Sequence, residues 1–252
     1  MKLSGKTILT TRAASQSGEL RSKLESLGAR VIECPTIEIV PVDDWSLVDE
    51  SIRRLDQYQW LIFTSANAVE YFMKRVRLAG VSCTTPIAVV GSATARRLKE
   101  WNLEPAIVPK EFRAEGLLKA MPASLYRTSI LFPRAEKARD LLPAELRRRG
   151  AVVDIVTVYR TLRPEPGSLS ISDVLTSETI DCIVFTSPST IRYVAESAGE
   201  ALLDLLRKIP IAVIGPVTRS AATEFGLESR IIPDESTIDS LIAAIQSALL
   251  KN

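Results

Sequence analysis

The sequence predicts an α/β protein: two similar parallel-sheet α/β domains, produced by an internal duplication and joined by a two-stranded linker. Three observations carry that prediction. Short apolar runs alternate with amphipathic stretches along the chain, the rhythm of strands and helices in a mostly parallel sheet. The stretch Phe63-Thr64-Ser65-Ala66-Asn67 is written again as Phe185-Thr186-Ser187-Pro188-Ser189, 122 positions later. That offset also relates residues far outside the motif, so the chain is a tandem repeat of a unit about half its length.

The elements follow from the first residue onward. Lys6 to Thr11 reads as a strand, then Arg12, then a helix from about Ser15 to Leu27 with Leu20, Leu24 and Leu27 on one face. Gly28 ends that helix in the way a C′ glycine does, and Val31-Ile32 begins a second strand. In the second repeat Ile8-Leu9 becomes Ile130-Leu131, Arg12 becomes Arg134, Leu20 and Leu24 become Leu142 and Leu146, and Gly28-Ala29 becomes Gly150-Ala151. Trp60-Leu61-Ile62 and Cys182-Ile183-Val184 are buried strands leading into the repeated motif. The offset then drifts to 124, where Pro86-Ile87-Ala88-Val89 matches Pro210-Ile211-Ala212-Val213, Gly91 matches Gly215, Thr94 matches Thr218 and Pro109 matches Pro233. A drift of two is a loop insertion. Each half therefore reads strand–helix–strand, helix, then strand–helix–strand–helix–strand–helix, with helix starts at Ser65–Asn67, Ser92, Pro188, Pro216 and Ser236.

Residues 36–41 and 157–165 differ from the rest. They are extended, partly alternating, and bounded by Pro35, Pro41, Pro164 and Pro166, which reads as linkers or edge strands. If both run between the same two domains, one domain is 42–156 and the other joins 1–35 to 166–252. One domain per repeat is the other arrangement the sequence allows. Either would present strand-end loops across a cleft.

Composition narrows the chemistry. The 252 residues are 46% hydrophobic and 25% charged, enough to bury a proper core. With 32 Lys+Arg against 30 Asp+Glu the net charge is +2, too balanced for a nucleic-acid surface. Cys34, Cys83 and Cys182 are scattered without metal spacing, which suits buried, inert thiols in a reducing cytoplasm. No apolar run approaches about 18 residues, and no signal-peptide pattern opens the chain, so neither a membrane span nor export is expected. There is no histidine. That removes Ser-His-Asp and Cys-His catalysis and most transition-metal sites.

The polar residues expected at strand ends and helix starts are Thr11 and Arg12, Ser65 and Asn67, Ser92 and Thr94, Arg134, Ser187, Ser189 and Thr190, and Thr218. They are hydroxyls, amides and two symmetric arginines, with hardly a carboxylate. Such a kit does not suit carboxylate-pair catalysis or a hard metal. It suits a ligand with several negative charges, met by helix-start N–H groups and side-chain donors. Ser65 and Ser187 also have the plainer role of capping their helices. G-x-G-x-x-G and G-x-x-x-x-G-K-[ST] fingerprints are missing.

Taken together, Leu9-Thr10-Thr11-Arg12, Ile62-Phe63-Thr64-Ser65, Val90-Gly91-Ser92-Ala93-Thr94, Val158-Tyr159-Arg160-Thr161, Val184-Phe185-Thr186-Ser187-Pro188-Ser189 and Ile214-Gly215-Pro216 resemble the uroporphyrinogen-III synthase family, in order and over essentially the whole chain. The resemblance implies a cytoplasmic, cofactor-free monomer of two α/β domains joined by a two-stranded ribbon, with the N-terminal segment completing the domain built mainly from the C-terminal half. It implies hydroxymethylbilane as substrate, closed to uroporphyrinogen III with loss of water and inversion of ring D through a spiro intermediate. Nucleic acid and membrane are not implied as partners; transient contact with hydroxymethylbilane synthase is.

On this resemblance Tyr159 is the candidate acid, or else a tyrosine packed on the linker. Arg12, Ser65, Asn67, Thr94, Arg134, Ser187, Ser189, Thr190 and Thr218 are candidate substrate-binding residues. Arg12 and Arg134 bind carboxylates or pair with a helix acid such as Glu19 or Glu136. Lys110 and Arg113 form a basic rim or a solvated loop. The chain departs from the family pattern at Ala13-Ala14, Asn67 and Val217. The competing reading is a non-catalytic cytosolic two-domain module that binds a tetrapyrrole or another polyanion.

Overall fold

A computed structural model describes residues 3–163 and 170–250. Pro164 and Pro166, and the end of the second expected linker, lie outside the described residues. The first repeat forms β1 (Thr7–Thr10), α1 (Ala14–Ser26), β2 (Arg30–Glu33), β3 (Glu38–Pro41), α2 (Ser46–Arg53), a 3-10 turn at Leu55–Gln57, β4 (Trp60–Phe63), α3 (Ala66–Leu78), β5 (Ile87–Val89), α4 (Ser92–Lys99) and α5 (Ala114–Ala120). The second forms β6 (Ser129–Ala135), α6 (Leu141–Arg148), β7 (Val152–Leu162), α7 (Ile171–Ser177), β8 (Cys182–Phe185), α8 (Pro188–Ser197), α9 (Glu200–Lys208), β9 (Ile211–Val213), α10 (Pro216–Glu224), β10 (Ser229–Ile231) and α11 (Ile238–Leu249).

Three elements differ from the expected rhythm. The last strand of the first repeat shrinks to a single bridge between Ala88 and Ile107. Pro105 stands where β10 has Ser229, and a proline has no N–H to give a ladder. In the second repeat, one expected helix becomes two, because Gly199 breaks it and starts α9. The last helix begins at Ile238, two residues past Ser236. Thr237 is its cap, with Oγ1 accepting from Ser240 N–H at 3.1 Å.

The chain gathers into two compact units, Met1–Ile39 with Leu162–Asn252 and Val40–Thr161. Among the described residues, the sheet of the first unit runs β10-β9-β8-β1-β2 and the other runs β3-β7-β6-β4-β5. Pairs β1–β2, β1–β8, β8–β9 and β9–β10 are parallel, as are β4–β5, β4–β6 and β6–β7. The repeat persists in the register: Thr7 faces Arg30, and Ser129, 122 residues on, faces Val152. The first strand–helix–strand of each repeat joins the later strands of the other repeat. In both sheets the order therefore reverses at one junction, β1 against β8 and β6 against β4. Such a junction is where open α/β sheets bind ligands, outside the carboxyl ends of the strands.

Burial on both faces explains why the strands are apolar without alternation. In the first unit Leu9, Ile183, Phe185, Ile211 and Val213 face one side with Val174, Ile191 and Leu206. Ile8, Cys182, Val184 and Ala212 face the other with Leu20, Leu24, Leu241 and Ile245. In the second unit Ile62, Ile130 and Phe132 pack on Leu117, Leu142 and Leu146. Phe63 there meets Phe72 of α3 edge-on, with centroids 5.8 Å apart. Each such side chain contributes about 1.5–3 kcal/mol of burial. Gly28 and Gly150, at φ +88° and +94°, turn the chain after α1 and α6 where an L residue would be strained.

Candidate functional site

In the second unit the strand-end residues form a cluster around Tyr159. Ser65 has extended backbone and caps α3, its Oγ accepting from Ala68 N–H at 3.1 Å. The same Oγ lies 3.1 Å from the Tyr159 hydroxyl. Asn67 also hydrogen-bonds the phenol. Tyr71, one helical turn beyond Asn67, stacks on the Tyr159 ring with centroids 5.9 Å apart and 19° between planes. Tyr159 is only 7% exposed. Burial pushes its phenol above the usual tyrosine range, while the hydrogen bonds it shares with Ser65 and Asn67 pull the other way.

A slip in the sheet helps to aim this tyrosine. Arg134 pairs with Thr157, but Ala135 pairs with Tyr159, so β7 carries one extra residue, Val158, opposite β6. A bulge of this kind re-aims the following side chain. Glu136 N–H then closes the strand end on Tyr159 O at 3.0 Å.

Arg134, at the end of β6, donates to Asp140 Oδ1 at 2.7 Å. Its helix acid is thus Asp140, at the start of α6, and not Glu136. Thr94 is buried in the first turn of α4. Gly91 caps that helix, and a Cβ there would press on Phe112. The expected basic rim does not stand alone: Arg113 donates to Glu111 at 3.0 and 2.5 Å, and Lys119 reaches the same carboxylate at 3.1 Å.

The first unit repeats the scaffold with different chemistry. Thr11 N–H and Oγ1–H both donate to Val184 O, at 3.3 and 3.0 Å, tying the end of β1 to β8. Half-buried Arg12 follows directly. Ser187 caps α8, accepting from Thr190 N–H at 3.3 Å, and shares a hydrogen bond with Ser189 Oγ at 2.9 Å. Thr190, 1% exposed, donates its hydroxyl back to Ser187 O at 2.8 Å. Thr218 is buried in the first turn of α10. Gly215 caps α10, and a Cβ there would clash with Ser236, 124 residues on from Phe112. At the repeat position of Tyr159, 122 residues earlier, this unit has buried Ile37.

The structure therefore brings Ser65, Asn67 and Tyr159 together in one unit, and Ser187, Ser189 and Thr190 together in the other. Both serines cap their helices. Thr94, Thr190 and Thr218 are all buried, and the Thr190 hydroxyl is spent on Ser187 O. Sequence reasoning missed Tyr71, although its spacing of four from Asn67 places both on one helix face, and Asp140, which carries no local signal. Burial pushes the Cys34 and Cys182 thiols up to about 11 and about 12, which disfavours the reactive thiolate at both. Among the described residues no group of three or more His, Cys, Asp or Glu side chains is placed to hold a metal ion. No helix there is long and apolar enough to cross a membrane.

Comparison with known proteins identifies the family. The family model described as uroporphyrinogen-III synthase HemD matches residues 18–243. The chain is 35% identical to the uroporphyrinogen-III synthase of Synechococcus elongatus, covering 97% of this chain and 96% of that one. It is 30% identical to that of Chlorobaculum parvum, over 97% and 99% of the two chains. A crystal structure of a mutant uroporphyrinogen III synthase from Thermus thermophilus superposes with a TM-score of 0.74 at 21% identity, covering 98% of this chain and all of that one, which establishes the likeness of fold. The chain belongs to the uroporphyrinogen-III synthase family.

Proposed function

We propose that this enzyme closes hydroxymethylbilane to uroporphyrinogen III, losing water and inverting ring D through a spiro intermediate, as its family membership implies. The observation that carries the reading is the Tyr159–Ser65–Asn67 cluster at a strand-order reversal, with its donor-rich counterpart at Ser187 and Ser189. The substrate is a flexible polyanion, and holding it in one conformation is the larger part of the task. Helix starts at α3 and α8 favour carboxylates through their N–H groups and dipoles. Arg12, Ser187 and Ser189 serve as anchors. Arg134 exchanges Asp140 for a substrate carboxylate: the Asp140 side chain is 77% exposed and can return to water, while the Arg134 side chain, 12% exposed, keeps its need for an anion. Thr94, Thr190 and Thr218 bind indirectly, by bracing the first turns that present the donors.

Tyr159 gives its proton to the departing hydroxyl, so the C–O bond breaks as water forms and, with the pyrrole N–H retained, a cationic azafulvenium electrophile remains beside the phenolate. The substituted carbon of ring D attacks it to give the spiro centre, which fragments and recloses. The proton lost on final closure returns to the phenolate. The reaction takes place in the cytoplasm without a cofactor, in a monomer with transient contact with hydroxymethylbilane synthase; the balanced charge and scattered thiols support that setting.

The test is a coupled assay in which hydroxymethylbilane synthase makes the bilane from porphobilinogen. Products are oxidised and isomers I and III separated by chromatography. Isomer III above the background without this protein supports the proposal; isomer I alone refutes it.

A further inference from the structure

We infer that Ser65 and Asn67 are positioning residues that hold the Tyr159 oxygen so that its own proton points to the substrate, rather than anchors for substrate carboxylates. The inference rests on the proposed role of Tyr159 and deepens it.

The hydrogen inventory around Ser65 carries the argument. A serine hydroxyl has one hydrogen to donate and two lone pairs to accept with. One lone pair of Ser65 is used by Ala68 N–H at 3.1 Å. Its single hydrogen is within reach of the Tyr159 oxygen, also at 3.1 Å. The amide of Asn67 bonds the same phenol and can supply a second donor. A phenol oxygen that receives two donors directs its own O–H away from both. Such donors also stabilise the phenolate that forms as the proton leaves, which makes the phenol a better acid. A Ser65 serving a carboxylate would have to give up its one hydrogen to it and leave Tyr159 unaimed.

The ring itself cannot swing. Tyr71 stacks on it at 5.9 Å, and almost none of it is exposed. The other copy of the motif supplies the contrast. There the counterpart of Tyr159 is Ile37, and Ser187 turns to Ser189 at 2.9 Å. With an isoleucine in place of the tyrosine at the repeat position, that copy keeps its hydroxyls for the ligand. The duplicated turn has thus diverged, one copy aiming an acid and the other anchoring.

The test is a double-mutant cycle on the whole enzyme, with kcat and KM for isomer III formation measured separately. Ser65→Gly removes the hydroxyl at a position where a helix start tolerates glycine. Asn67→Ala removes the second donor. Each is expected to lower kcat roughly tenfold, the effect of one hydrogen bond, with KM unchanged. Ser65→Thr, which keeps both the hydroxyl and the cap, retains turnover and controls for folding. Ser65→Gly combined with Tyr159→Phe is no slower than Tyr159→Phe alone, because the serine acts through the phenol. A KM rise with kcat retained, or costs that multiply in the double variant while Tyr159→Phe is impaired, overturns the positioning role and leaves the proposed activity standing. Full turnover by Tyr159→Phe, or no isomer III from the unaltered enzyme, removes the acid and this inference with it.

Discussion

Ser65 and Tyr159 come from different copies of the repeat, and their hydroxyl oxygens meet 3.1 Å apart at the strand-order reversal of one sheet. Strand exchange makes this contact, because β4 belongs to the first repeat and β7 to the second.

Tyr159→Phe is therefore expected to keep the fold and lose chemistry. Removing a general acid lowers turnover by about 10²- to 10⁴-fold. Affinity for the bilane changes little, since the ring and its stack on Tyr71 remain. Rates of isomer III formation and a binding titration with the bilane check the two halves of this statement.

Ser187→Gly is expected to give the opposite split. The residue 122 positions before Tyr159 is Ile37, and Ser187 shares a hydrogen bond with Ser189. Losing it weakens substrate binding by roughly tenfold, the usual scale for one hydrogen bond to a charged group, while kcat holds. A fall in kcat with KM unchanged would count against the anchoring role.

The glycines at close approaches differ in what they tolerate. A Cβ at Gly116 would clash with the backbone carbonyl of Glu111, which cannot rotate away. A Cβ at Gly215 would meet mainly the Ser236 hydroxyl, which can. Gly116→Ala should cost about 1–3 kcal/mol, the usual overpacking range, and more than Gly215→Ala. Denaturant midpoints of the two variants decide the order.

The thiols should be silent in the native protein. Cys34 at about 11 and Cys182 at about 12 hold almost no thiolate at pH 8, and burial also raises Cys83, which is partly exposed. A disulfide reagent at pH 8 should react slowly with Cys83, hardly at all with the other two, and fully with all three after denaturation.

Acid should weaken one surface contact in a defined window. A hydrogen bond from Arg148, seconded by one from Arg149, holds Glu145 down at about 2, against an ordinary 4.5. Because the folded value is the lower one, the unfolded chain takes up this proton first as pH falls. The stabilisation is complete above about pH 4.5 and is gone once pH has fallen through about 2. Glu145→Gln should therefore show a shallower loss of stability between those limits, and a small one, since the pair is solvated. Denaturant midpoints across the range measure it.

By itself the sequence determined the repeat, the α/β rhythm, the glycine stops at Gly28 and Gly150, and the serine starts of α3 and α8. Each of these is set within a few residues, by side-chain period, by a backbone angle open to glycine, or by a hydroxyl that reaches its own helix. Local signals also misled in places: Ser236 reads as the helix start where Thr237 is the cap, and Pro105 removed a strand that the repeat predicted. Tertiary structure alone decided that Arg134 pairs with Asp140, that Thr94, Thr190 and Thr218 are buried, and that Tyr159 lies against Ser65 and Tyr71. The cause is the strand order. Which repeat supplies each neighbouring strand, and the one-residue slip before Tyr159, depend on how whole elements pack, and no local preference of the chain encodes either.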